Sequence, residues 1–115
     1  MEKSINERVK AVREYLKLSQ RDFSKGILLK QSSYARIEQG KTRVTDRVVE
    51  LTCLKYNVNK NYLKDGKGRM FTGNPPDVKL EQLNQIFSEL NNSFQDYLIN
   101  QAKEMLKIQQ KQDSL

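Results

Sequence analysis

The feature that most constrains this chain is a succession of short helical runs, each opened by a capping residue and closed before it grows long. Ser4 with Glu7 three positions later makes a capping box, and Ile5, Val9, Val12 and Leu16 follow at 4-3-4 spacing on one face, which predicts a helix over residues 4–17. Ser19 opens a second run over 20–27, with Phe23 and Ile27 turned inward. A third, over 31–39, carries Tyr34 and Ile37 inside and Gln31, Ser32 and Arg36 outside, and Gly40 supplies a left-handed terminator. Thr45 caps a fourth that runs to Tyr56, with Val48, Leu51 and either Cys53 or Leu54 expected inside and Asn57 ending it. Asn59 begins a fifth through Tyr62 and Leu63, which Asp65 and Gly66 close. No alternating pattern of useful length appears, so the chain reads as all-α.

The 115 residues suffice for one small domain and an appendage. Thr72-Gly73-Asn74-Pro75-Pro76 interrupts the helical patterns, and its two prolines favour an extended, fairly stiff linker, assigned to 72–77. The expected division is therefore a domain over 1–71 and a helical segment over 78–115. Charge follows the same division. Residues 1–71 hold 17 Lys/Arg against 8 Asp/Glu, whereas 72–115 hold 4 against 6, so the overall charge of +7 arises wholly in the first part. A basic domain suits a polyanionic partner, and the tail is left for another task.

In that tail Leu80, Leu83, Phe87, Leu90, Phe94 and Tyr97 repeat at 3-4-3-4-3 spacing, the seam of helices that pair with helices. Asn91-Asn92-Ser93 contains poor helix formers that are good caps, which favours two helices, 78–90 and 93–111, over one. Leu98, Ala102 and Met105 continue the stripe. A helical pair this small cannot bury its apolar face alone, so it packs on the first domain or on another chain. Dimerisation through Leu80, Leu83, Phe87, Leu90, Phe94, Tyr97, Leu98 and Met105 is the more natural solution.

Several classes are disfavoured. No run of 18 apolar residues exists, and Glu2, Lys3 and Asn6 stand where a signal peptide needs apolar residues, so a cytoplasmic protein without a membrane partner is expected. Cys53 is the only cysteine and there is no histidine, so neither an intramolecular disulfide nor a usual zinc set can form. No glycine-rich phosphate loop or paired carboxylates are present. No enzyme activity, cofactor or metal is expected. Cys53 reads as a buried structural residue, and Tyr34, Tyr56, Tyr62 and Phe71, at helical spacing, as core rather than a platform for single strands.

Ser19-Gln20-Arg21-Asp22-Phe23, Ile27, Tyr34 and Arg36-Ile37-Glu38-Gln39-Gly40-Lys41 together resemble the helix-turn-helix of Cro/repressor-type (Xre-like) regulators. A second block, from Asp46-Arg47 through Cys53, Tyr56, Val58-Asn59 and Tyr62-Leu63 to Asp65-Gly66-Lys67-Gly68-Arg69-Met70-Phe71, is similar to the following helices of prophage and Gram-positive repressors. The resemblance covers residues 4–71 and implies a five-helix, lambda-repressor-like domain. It implies that the third helix enters the major groove, with Gln31, Ser32 and Arg36 meeting base edges. The chemistry agrees: Gln can bridge adenine N6 and N7, and Arg can fork onto guanine O6 and N7. Gln20, Lys30, Ser33, Lys41 and Arg43 border this face as candidate phosphate contacts. Glu38, a lone carboxylate, is expected to pair with an arginine or cap a helix.

The sequence departs from that pattern where Leu28 stands for a Gly, Lys30 for a Ser or Thr cap, and Val44 for a Pro. A left-handed Leu costs roughly 1–2 kcal/mol, so the turn between the second and third helices is where a remodelled geometry is expected. The expected function is sequence-specific regulation of transcription: a phage-type repressor, acting as a homodimer on double-stranded DNA. An antirepressor or toxin protein is a further partner class. The competing expectation is a protein-binding module, such as an antitoxin or adaptor, built on the same fold. Too few residues follow the linker for a self-cleaving domain of the kind some such repressors carry.

Overall fold

A computed structural model describes residues 3–114. The chain divides into two units, Met1–Pro76 and Asp77–Leu115. The first holds α1 (Ile5–Tyr15), α2 (Gln20–Gly26), α3 (Gln31–Glu38), α4 (Asp46–Tyr56) and α5 (Lys60–Asp65); the second holds α6 (Val78–Glu89) and α7 (Asn92–Asp113). The fold is all-α, and the described residues contain no strand beyond one isolated bridge between Val58 and Phe71.

Each helix begins where its local chemistry says it should. Ser4 accepts from the Glu7 amide while the Glu7 carboxylate accepts from the Ser4 amide, completing the capping box. Ser19, Thr45 and Asn59 accept from the amides of Asp22, Val48 and Asn61. α3 is the exception, because Lys30 at its N-cap makes no side-chain capping bond.

The helix ends follow one device used three times. After α1, α2 and α3 the chain turns through a left-handed residue, respectively Lys17 (φ 57°), Leu28 (φ 60°) and Gly40 (φ 76°). In each the next amide reaches back five residues: Leu18 N to Arg13 O at 3.3 Å, Leu29 N to Ser24 O at 2.9 Å, and Lys41 N to Arg36 O at 2.9 Å. These paired closures satisfy the last carbonyls of each helix. Leu28 therefore keeps the left-handed turn rather than remodelling it, and its side chain is left 70 % exposed. Lys17 ends α1 at Tyr15, short of the 17 expected from periodicity.

The core of the first unit is formed by Val9, Val12, Leu16, Phe23, Ile27, Tyr34, Ile37 and Leu63, among others. Phe23 sits between two tyrosines, stacked on Tyr56 at 4.7 Å and tilted against Tyr34 at 5.1 Å. The Tyr56 hydroxyl donates to Phe23 O at 3.2 Å, passing so close to Gly26 that a Cβ there would lie 2.1 Å from the oxygen. α4 presents a different face from the one expected. Val48, Val49, Thr52 and Tyr56 are buried, Leu51 and Cys53 are half-buried, and Leu54 is 80 % exposed. Apolar residues lie almost all round this helix, so periodicity does not select its inner side, and the aromatic cluster does. Tyr62 is likewise half-buried rather than core.

Two polar side chains of α1, the buried Arg8 and the half-buried Asn6, tie distant segments together. Arg8 donates from Nε to Leu63 O at 2.9 Å, from Nη2 to Lys64 O at 2.8 Å and from Nη1 to Lys3 O, so its guanidinium caps the carbonyl end of α5. Asn6 donates from Nδ2 to Ile37 O at 2.8 Å and to Thr42 O at 2.9 Å. Beyond α5 the chain returns beside the end of α4, through Asn59 N to Met70 O at 2.8 Å and Thr72 N to Asn57 O at 2.9 Å. Phe71 then packs on Tyr15 at 5.3 Å.

In the second unit, Asp77 caps α6 and Asn91 caps α7, and Gln95 Nε2 donates to Phe87 O at 2.7 Å across the break between them. The segment is thus two helices. No residue of either is buried: Leu80, Leu83, Phe94, Tyr97 and Met105 are exposed, and Phe87, Leu90 and Leu98 half-buried.

Candidate nucleic-acid interface

α2, a tight turn and α3 form the geometry on which any DNA reading depends, so what holds α3 in place comes first. Its inner side carries Tyr34 and Ile37 into the core, at 0 % and 4 % exposure. Beside them Glu38 receives Arg13 Nε at 2.6 Å and Nη2 at 3.1 Å, and Gln20 Nε2 at 2.9 Å. One carboxylate thereby joins α1, α2 and α3, in the structural role expected of it. Burial pushes the Glu38 carboxyl up, but hydrogen bonds from Arg13 and Gln20, the neighbouring Tyr34 hydroxyl and the charge of Arg13 outweigh it and hold the group below its ordinary value. The bond to Glu38 correspondingly raises Arg13. The Tyr34 hydroxyl is buried against the same carboxylate without a hydrogen bond of normal geometry, and burial followed by Glu38 pushes its phenol up strongly.

The outer side of α3 is the reverse. Gln31, Ser32, Ser33 and Arg36 are exposed, and their side chains make no hydrogen bond or ion pair among the described residues. Ser32, Arg36 and Gln39 fall at i, i+4 and i+7, which makes one stripe along the helix, with the small, half-buried Ala35 beside it. Gln39 is absent from the residues singled out by sequence, although its step of three from Arg36 is the signal that finds it. Gln31 lies at the edge of the stripe, in the first turn.

The basic and polar residues flanking this face fall into two groups. Lys30, Lys41 and Arg43 are exposed on either side of α3. Lys30 supplies no capping acceptor, so the first-turn amides of α3 are open to an external one such as a phosphate. Gln20 differs from its neighbours: it is half-buried at the first turn of α2, and its amide is already engaged by Glu38.

The other candidate chemistry is not assembled. Among the described residues no cluster of His, Cys, Asp or Glu could hold a metal ion. Burial, and after it Glu50, pushes the half-buried Cys53 thiol up, away from the reactive thiolate. Among the same residues no helix is long and apolar enough to cross a membrane.

Comparison with known proteins agrees with this geometry. The helix-turn-helix domain family matches residues 6–69, from the first turn of α1 to the loop after α5. No curated protein and no solved structure matches the chain. With more than half of its length inside that match, and α2 and α3 as the two helices of the motif, the chain belongs to the helix-turn-helix domain family, a DNA-binding type.

Proposed function

We propose that this protein is a sequence-specific, double-stranded-DNA-binding transcription regulator that places α3 in the major groove. The observation that carries this reading is the division of α3 into two sides. Its inner side is fixed by Tyr34, Ile37 and Glu38, while Gln31, Ser32 and Arg36 stand exposed without an internal partner. Uncommitted donors and acceptors on a rigidly held helix are what base-edge recognition needs, since each good bidentate pair contributes about 1–3 kcal/mol of discrimination. Lys30, Ser33, Lys41 and Arg43 hold phosphates on either side and set register without reading sequence. Gln20 contributes its remaining amide hydrogen, held toward the backbone by Glu38.

The regulator acts as a homodimer. Both helices of the second unit expose apolar side chains, including Leu80, Leu83, Phe94, Tyr97 and Met105, and a second copy covers them together with Phe87, Leu90 and Leu98. Two reading helices then meet two half-sites roughly 34 Å apart, and occupancy of a promoter represses by excluding polymerase.

The same exposed faces favour a second reading, an adaptor or antitoxin whose apolar tail holds a different protein. Binding of random duplexes over a range of salt concentrations, with sequencing of those retained, separates the two. The regulator enriches one site and shows a steep fall of affinity with salt. Absence of any enriched site at moderate salt selects the adaptor.

A further inference from the structure

A side chain 31 to 36 positions earlier in the sequence reaches the end of α3 and the loop that follows it. Asn6, in the first turn of α1, spends both hydrogens of one amide nitrogen on Ile37 O, at 2.8 Å, and Thr42 O, at 2.9 Å. These two carbonyls stand on opposite sides of the left-handed turn at Gly40 that ends α3. Lys41 and Arg43 lie immediately beside the bridged Thr42, and both are exposed. Gly40 has no atom within 4 Å of where a Cβ would stand, so the turn is not wedged into place by packing at that point. Nor do the side chains of Lys41 and Arg43 bond to any other described residue.

We infer that Asn6 is a positioning residue for DNA-backbone binding: its amide clamps the α3–α4 loop so that Lys41 and Arg43 present their charges at fixed positions beside α3. The inference rests on the reading that α3 binds DNA. Its physical basis is preorganisation. A loop tied at Thr42 O to α1, through the same amide that grips the last turn of α3 at Ile37 O, loses less freedom when its cations meet phosphates. The clamp also transmits the position of α1 to the loop, because Nδ2 has no other hydrogen to give.

A double-mutant cycle on the full-length protein tests this. Asn6→Ala, Lys41→Ala/Arg43→Ala and the combination are compared for binding to one enriched duplex across a salt series, together with their thermal stabilities. Asn6→Ala is expected to weaken binding roughly tenfold and to make the salt slope shallower by about one, with the order of preference among duplexes unchanged. Added to Lys41→Ala/Arg43→Ala it should change binding little, because it acts through those residues. A loss of affinity that adds in full to that of the double variant, or an unchanged salt slope in folded Asn6→Ala, overturns the inference. If Asn6→Ala does not fold, Asn6→Ser, whose hydroxyl serves only one carbonyl, carries the same cycle with the same outcomes. Failure of the unaltered protein to bind DNA in a salt-dependent manner overturns the DNA-binding reading itself.

Discussion

Arg13 Nε lies 2.6 Å from Glu38 Oε2, so α1 and the last turn of α3 are joined by an ion pair whose acidic side chain is only 4 % exposed. Removing one partner of a buried pair leaves the other's donors without an acceptor, which costs more than an exposed pair contributes.

Replacing Glu38 by Gln is expected to cost about 2 kcal/mol at neutral pH, because the neutral amide offers Arg13 a weaker acceptor and places an NH2 group against donors. The same change should alter the acid limb. Glu38 is held below its ordinary value of 4.5, so its contribution is fully present above that value and is lost as pH falls through the lower folded value. Urea unfolding at a series of acidic pH values should show the wild type losing this part and Glu38→Gln lacking it. Identical pH slopes would refute the assignment.

Leu28→Gly should raise stability by about 1 kcal/mol, since glycine accepts the left-handed turn without a Cβ penalty and Leu28 is 70 % exposed. Gly40→Ala should lower it by a similar amount for purely backbone reasons, as nothing lies within 4 Å of the added Cβ. Opposite signs in thermal denaturation are the expected pair.

Gly26→Ala meets a different obstacle. Its Cβ would stand 2.1 Å from Tyr56 Oη, so the ring or α2 must move and the bond to Phe23 O is lost. A loss of about 2–3 kcal/mol is expected, with altered near-ultraviolet circular dichroism from the disturbed aromatic stack.

For recognition, Arg36→Ala should relax base preference at one position per half-site, whereas Lys41→Ala should weaken all sequences alike and flatten the salt slope by about one. Parallel selection profiles for the two variants would show that readers and holders have been divided wrongly.

Deleting residues 73–115 keeps Thr72 and its bond to Asn57 O. The shortened protein should remain folded and sediment as a monomer, with weaker operator binding because the linkage of two sites is gone. A dimer in that experiment would take the interface away from α6 and α7.

What could be seen in the sequence was local. Ser4, Ser19, Thr45 and Asn59 cap helices through amides two or three residues away, so composition and spacing reveal them. The left-handed Leu28 was visible as a departure from a known pattern, but Lys17 adopts the same conformation without any residue type to signal it. Asn6 and Arg8 stayed hidden because their partners are carbonyls 31 to 56 positions away, and a carbonyl carries no sequence signature. The inner face of α4 escaped for another reason: Val49 and Thr52 are chosen over Leu54 by the Phe23–Tyr56 stack, a tertiary contact that overrides hydrophobicity. On α3, charge and polarity marked the outward residues, while Gln39 needed the helix phase to place it.

The anchoring of α3 from behind also bears on how such a protein can diverge. Tyr34, Ile37 and Glu38 carry the attachments, and none of them faces outward. Exchanging Ser32, Arg36 or Gln39 therefore disturbs no internal bond, so mutations there are nearly neutral for folding. If α3 reads DNA as proposed, operator preference can then drift through single substitutions while the scaffold stays at constant stability, which lets duplicated copies acquire separate targets without passing through unfolded intermediates.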